Sequence, residues 1–291
     1  MSDSTWVIMP ILANRDLTMS AIASVLAQTV PVRLLLVNQG VEDVFRDELE
    51  RLAEAYPEQI LLWSHQPPLP SLAATWNRAL RFVWATGGTE ALVVNNDIEL
   101  HRETIAILGK ARAYADALFV SAVGVTAAQF RPDLHVCKEG GVLPQGFFVD
   151  GGPRLQTGGP DFSCFLISRA CHERFAFDEA FTPAFCEDLD MHRRLMLAGE
   201  GRRIFSINLP FLHHSSQTLK SVDASERARL EQGIAAGSRA YYEKKWGGQV
   251  NAERFFSPFD QGTEYSTAGM PNPPTTPALQ AWVQAQEAAD G

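Results

Sequence analysis

Ala91-Leu92-Val93-Val94-Asn95-Asn96-Asp97-Ile98-Glu99 is an apolar run of strand length that leads straight into two amides and a carboxylate, with a second carboxylate two residues on. Such a run delivers oxygen ligands at the end of a buried strand, where an open α/β sheet binds its ligands. Asp97 can hold a hard divalent cation, which prefers oxygen donors and is commonly shared with phosphate groups. Taken alone, the same residues are more simply a strand ending in an Asn-Asp turn whose side chains cap their own backbone. The flanking chain decides between the two.

Upstream, Thr5 to Met9 reads as a first strand stopped by Pro10, and Ile11 to Arg15 as a loop running to a helix start at Asp16. Leu17, Ala21, Val25 and Leu26 fall at helical spacing. Leu34 to Val37 is a second strand closing on Asn38-Gln39-Gly40. Phe45, Leu49, Leu52, Ala53 and Tyr56 stripe a second helix that Pro57 stops. Ile60 to Trp63 is a third strand, and Leu72, Trp76, Leu80 and Val83 share one face of a third helix. Strands and helices alternating in this way predict an α/β fold, a parallel sheet wound with helices on its faces. Right-handed crossovers then bring Pro10 to Arg15, Asn38 to Gly40 and Asn95 to Asp97 to one edge, as one pocket. Neither GxGxxG nor GxxxxGK[ST] is present, so a nucleotide there would be held by amides, carboxylates and a metal.

Downstream, a helix around Ile105, Leu108 and Ala111 precedes a strand at Leu118 to Ala122. Residues 124–160, rich in Gly and Pro, are too long for a simple connection and read as a formed binding loop or small hairpins. Asp161 to Ser168 is a strand, Arg169 to Phe175 a short helix, and Glu187-Asp188-Leu189-Asp190 opens a helix with Leu189, His192, Leu195 and Met196 on one face. Acids favour the positive end of a helix, and Asp190 can pair with Arg194, but neither rule asks for three acids together. Arg203 to Ile207 is a further strand, and His213-His214 emerges from an apolar segment. Residues 222–247 read as helical. The Pro-rich tail reads as a surface wrap, with a last short helix from Pro277 to Ala289.

The net charge of −9 disfavours a nonspecific nucleic-acid binder. No run of about 20 apolar residues and no signal-like N-terminus is present, so the expectation is no membrane span and a cytoplasmic location. Cys137, Cys164, Cys171 and Cys186 lack CxxC spacing and are expected to be reduced thiols. Oligomeric state is not legible in the chain.

These residues together resemble the family-2 glycosyltransferases, GT-A-fold enzymes that use nucleotide-diphosphate sugars. Val7-Ile8-Met9-Pro10 with Asn14-Arg15, and Ser24 to Thr29, look like the family's first strand and helix. Leu36 to Gly40 stands where the family has two acids and a glycine, and Ala73 to Leu80, with Asn77, resembles its Asn-bearing third helix. Asn95-Asn96-Asp97 takes the place of the DxD-type motif, Phe177-Asp178-Glu179 of FDE, Glu187-Asp188 of the ED motif, and His213 with His214 of the closing histidine. The resemblance covers about residues 5–217. It implies a GT-A domain at 1–220, a Rossmann-like mixed, mostly parallel sheet flanked by helices, with a nucleotide-binding half (1–122) and an acceptor half (123–220), and a helical and Pro-rich C-terminal appendage, helix and surface tail, at 221–291.

The resemblance further implies a metal-dependent transfer, inverting at the sugar, from a nucleotide-diphosphate sugar to an acceptor hydroxyl. Asp97 with His213 or His214 would hold Mn2+ or Mg2+. Pro10, Asn14, Asn38, Gln39, Asn77, Asn95 and Asn96 would contact the donor. Asp188 would be the general base, with Glu187 its rival. Asn95 replaces the first acid of a strict DxD, so the metal shell would lean on histidine and on the donor's phosphates; Asn38 and Gln39 replace the acids that usually meet the base. The expected acceptor is a saccharide or another soluble hydroxyl compound. Arg193-Arg194 and Arg202-Arg203 raise the alternative of a hydroxylated nucleic-acid base. A sugar nucleotidyltransferase is disfavoured by the lack of glycine in Ile11 to Arg15, and a non-catalytic nucleotide-sugar-binding protein by the joint presence of Asp97, Glu187, Asp188 and His213.

Overall fold

The computed structural model describes residues 4–65, 67–130, 160–214 and 224–261, with short strand pieces at 148–149, 152–153 and 155–156. In chain order the first half is β1 (Thr5–Ile11), α1 (Arg15–Leu26), β2 (Val32–Asn38), α2 (Asp43–Ala55), β3 (Ile60–Ser64), α3 (Leu72–Ala85), β4 (Glu90–Val94), β5 (Ile98–Glu99), α4 (Thr104–Ala115) and β6 (Phe119–Val125). The small strands β7 (Phe148–Val149), β8 (Gly152–Pro153) and β9 (Leu155–Gln156) follow. Then come β10 (Cys164–Ser168), α5 (Arg169–Phe175), α6 (Glu187–Leu197), β11 (Ile204–His213), α7 (Ala224–Gly233), a π-helical stretch (Ile234–Arg239) and α8 (Ala240–Trp246).

The main sheet runs β3-β2-β1-β4-β10-β6-β11-β5, with β9 added against β11. β1 to β4 pair in parallel, β10 inserts antiparallel between β4 and β6, and β6 pairs in parallel with β11. This is the mixed, mostly parallel sheet expected. Its apolar runs are continuous because both faces are covered. Along β1, Val7 and Met9 join Ile22, Val25, Phe45, Leu49, Ile105 and Leu108 on one side, while Trp6 and Ile8 join Trp76, Leu80, Val83, Phe175 and Met191 on the other. Ser71 caps α3 by accepting from Ala74 N at 3.1 Å, and Ser168 caps α5 from Cys171 N at 3.2 Å.

Several local expectations are corrected. Pro10 does not stop β1, which pairs with β2 through Ile11↔Asn38; β4 borders β1 only at Trp6–Ile8, so Pro10 sits where the strand is open on one side and a missing N–H is tolerated. β11 continues past Ile207 to His213 through a register slip between Ser206 and Pro210, which absorbs the proline that reads as a break. On α6 the inward face is Glu187, Asp190, Met191, Arg194 and Leu195, and Leu189 and Met196 are exposed. The reason is α8, which covers a polar stripe of α6 that reads as solvent-facing. Of the segment expected as an appendage, Tyr242, Lys245 and Trp246 are buried in the main body. The helix expected at Pro277 to Ala289 and Cys137 lie outside the described residues. Cys164, Cys171 and Cys186 are buried free thiols; burial pushes Cys171 up to about 12 and Cys186 to about 11. Among the described residues no helix is long and apolar enough to cross a membrane.

Candidate active site at the strand ends

The β4 end and the β1–α1 loop are joined by Asn96. Its buried amide donates to Ala13 O at 2.7 Å and to Thr18 Oγ1 at 2.8 Å, so it fixes the loop on which Asn14 sits. Asn14 caps α1 in a left-handed conformation (φ 71), tolerated by asparagine, and its Nδ2 is buried with no partner among the described residues. Asn95 donates its backbone N–H to Ser163 O at 2.9 Å, where β10 meets β4.

Asp97 is buried, and its Oδ1 lies 3.6 Å from His213 Nε2. His214 donates its backbone N–H to Asp97 O, but its ring turns to Glu99, 3.4 Å from Oε1. The histidine pair is therefore split, one ring on Asp97 and one on Glu99. Among the described residues no three His, Cys, Asp or Glu side chains converge as a metal cage. One carboxylate and one imidazole fit a cation that takes its remaining ligands from phosphate oxygens and water, as Mg2+ and Mn2+ do at diphosphates.

The second-strand amides are largely spent on the chain itself. Asn38 Oδ1 accepts from Gly40 N at 2.9 Å and Val41 N at 3.0 Å, and its Nδ2 reaches Ser64 Oγ. Gly40 needs to be glycine: its φ is +95 and a Cβ would meet Pro68 at 3.1 Å. Gln39 Oε1 accepts from Leu69 N at 2.9 Å, and its buried Nε2 has no partner among the described residues. Of this pair, Gln39 keeps the unspent donor.

Asn77, expected beside the donor, is fully buried and spent elsewhere. Its Oδ1 accepts from Phe177 N at 3.0 Å and its Nδ2 donates to Phe177 O at 2.7 Å and Glu179 Oε1 at 3.0 Å. His172 Nδ1 accepts from Trp84 Nε1 at 2.9 Å, which leaves the proton on Nε2 to donate to Asn77 Oδ1. Burial, with help from the Arg81 charge, pushes His172 down to about 3 and keeps that tautomer neutral. Asn77 thus pins the Phe177–Glu179 segment.

That segment leads to the acids. Phe185 and Cys186 are both left-handed (φ 77 and 71), at a cost of roughly 1–2 kcal/mol each for residues with a Cβ. The strained turn sets Glu187 and Asp188 at the N-terminus of α6. Asp188 Oδ1 accepts from Leu189 N at 2.8 Å. Burial raises the Asp188 carboxyl, and the charges of Asp161 and Asp190 add to the effect. Glu187 is pushed to about 8, by burial first and by the Asp188 charge second, and its Oε2 has no partner among the described residues.

Asp161 is a group that the sequence does not single out. It reads as the start of a strand, but its Oδ2 accepts from Gly124 N at 3.1 Å and its Oδ1 from Ser163 N at 2.9 Å, in the turn before β10. A Cβ on Gly124 would meet Asp161 Oδ2 at 2.9 Å and His213 Cβ at 3.3 Å. Asp161 therefore lies next to His213 while its charge is felt at Asp188.

No family model and no curated protein sequence matches the chain. Solved structures do match its fold. The Pyrobaculum calidifontis mannosyltransferase PcManGT, in complex with GDP-Man and Mn2+, has a TM-score of 0.56 at 17% identity, covering 100% of this chain and 79% of its own. S. aureus TarS 1–349 in complex with UDP gives 0.51 at 14%, over 83% and 74%. GalNAc-T7 with UDP, GalNAc and Mn2+ gives 0.53 at 11%, over 83% and 50%. The fold is that of the GT-A glycosyltransferases.

Of Arg193, Arg194, Arg202 and Arg203, three are held in contacts within the chain. Arg194 is buried against Asp190 and Ala176 O, Arg193 lies over Trp246 and donates to Phe255 O, and Arg203 pairs with Asp116 and Glu200. Of the four, only Arg202 is exposed.

Glu187 gives the GT-A domain a pH signature. Its folded value of about 8 stands above the ordinary 4.5, so the folded protein keeps a proton that the unfolded chain releases between those values. Stability contributed by the neutral acid is then lost as pH rises across that window. Glu187→Gln, which mimics the protonated form, is expected to flatten the loss, which in the wild type reaches up to about 1.4 kcal/mol per pH unit. Urea midpoints of both proteins from about pH 5 to pH 9 check this; parallel curves would refute it.

Proposed function

We propose that this GT-A domain is a family-2-type glycosyltransferase that moves a sugar from a nucleotide-diphosphate donor to an acceptor hydroxyl, inverting at the sugar carbon. The observation that carries the reading is the Asp97–His213 approach at the β4 end, with the buried carboxylate of Glu187 and the half-buried one of Asp188 on the acceptor side. Asp97 and His213 would hold a divalent cation, which when bound would neutralise charge on the diphosphate leaving group. Asp188 takes the acceptor's proton as its oxygen attacks the sugar carbon and the bond to the diphosphate breaks. The half-buried position of Asp188 favours this assignment, because it is more open to an acceptor than the buried Glu187. Asn14 and Gln39, each with a buried amide N–H that has no partner among the described residues, supply donors on the nucleotide side. The acceptor is a saccharide or other soluble hydroxyl compound, a choice supported by Arg193, Arg194 and Arg203 being engaged in contacts within the chain.

A thermal-shift panel of UDP-, GDP- and dTDP-sugars with and without Mn2+ tests the reading. A donor at a hundredfold excess over its Kd stabilises the fold by about 2.7 kcal/mol, several degrees in Tm. One nucleotide class should give that shift, enlarged by Mn2+. No shift with any nucleotide sugar would sink the proposal.

A further inference from the structure

Lys245 is fully buried in α8, with Nζ 2.7 Å from Asp178 Oδ2 and 2.7 Å from Asp190 Oδ1. Both carboxylates are otherwise well bonded. Asp178 accepts from Tyr241 OH at 2.9 Å and Ala180 N at 3.0 Å; Asp190 accepts from Trp246 Nε1 at 2.9 Å and Arg194 Nε at 2.8 Å. Burial alone would raise Asp178, but the ammonium holds it below the usual carboxylate range. A buried ion pair is weak support for stability, and its best attested use is to fix register.

What it would fix here is specific. Asp178 precedes, and Asp190 follows, the turn in which Phe185 and Cys186 are left-handed and from which Glu187 and Asp188 project. A strained turn persists only where its surroundings over-determine it. One cation grips both flanks. The same C-terminal segment seats the turn from behind: Phe181 and Cys186 pack with Tyr242 and Trp246, Ser238 Oγ donates to Thr182 O at 3.1 Å, and a Cβ on Gly237 would meet that oxygen at 2.7 Å. Asp97 and His213 lie outside the clamp, on the β4 end and β11.

We propose that Lys245 is a positioning residue for sugar transfer: by tying Asp178 to Asp190 it holds the turn between them and so sets Asp188 toward the acceptor. The inference rests on Asp188 acting as the base. Lys245→Met and the charge-balanced Lys245→Met/Asp178→Asn test it in the full chain, the second covering a failure of the first to fold. Misplacing a reacting group by about 1 Å costs about 100-fold, so kcat should fall on that order while KM for the donor and the donor-induced thermal shift stay at wild-type values. Amide hydrogen exchange should quicken at 184–189 and not in β4. A folded double variant with wild-type kcat and exchange overturns the clamp, as does a kcat loss matched by lost donor binding. If Asp188→Asn is inactive and the clamp variants are not, the clamp fails and the function stands. If exchange at 184–189 rises but the wild type transfers no sugar, the clamp stands and the function fails.

Discussion

Asp188→Asn is expected to lower kcat for sugar transfer by about 10²–10⁴-fold, the usual worth of a general base, with donor affinity unchanged. The substitution keeps the shape of the side chain and an oxygen that can still accept from Leu189 N, but it removes the group that takes the proton. A change in kcat without a change in donor binding marks an interaction made in the transition state alone. Glu187→Gln should lose much less, because Glu187 is buried while Asp188 is the more open of the two to an acceptor. Single-turnover transfer from saturating donor separates the two. If Glu187→Gln is the inactive variant and Asp188→Asn the active one, the roles are exchanged.

Asp97→Ala is expected to abolish the Mn2+-dependent part of donor binding and to cut transfer by about 100-fold or more, since a cation on a leaving group contributes several kcal/mol to the transition state. Asp97 is the carboxylate that meets His213, so its loss removes the charged member of that pair. His213→Ala should lose less, because phosphate oxygens and water can replace one neutral ligand. His214→Ala should leave Mn2+ dependence near wild type, as its ring faces Glu99. Calorimetric titration of a nucleotide diphosphate with and without Mn2+ reads all three. Equal Mn2+ enhancement in wild type and Asp97→Ala would remove Asp97 from the metal site.

The sheet was legible because β1, β4 and β10 are buried apolar runs and most connections in the first half carry Gly, Pro or an amide, so local pattern and tertiary burial agree. Asp97, Glu187, Asp188 and the histidines could be picked out because they stand at strand ends and at a helix start. What could not be read depends on contacts across distant parts of the chain. Asn38 and Asn77 look like ligands, but their amides satisfy backbone groups of Gly40, Val41 and Phe177. Lys245, in Glu243-Lys244-Lys245-Trp246, reads as one more solvated lysine, and nothing within a turn of it announces Asp178 or Asp190. Asp161 is silent for the same reason, since its partners on Ser121 and Gly124 precede a long loop.

The place of β10 in the sheet has a consequence for how the chain is made. β4 and β6 are complete by residue 125, yet they are not neighbours; β10, around forty residues later, pairs antiparallel with both. Until Cys164–Ser168 leaves the ribosome, the nascent chain carries two apolar strands with bare hydrogen-bonding edges, the kind of surface that recruits other chains. The sheet therefore closes from its middle and late, a non-local step that slows folding. Fragments ending before residue 168 should be aggregation-prone even though they contain every strand of the nucleotide half.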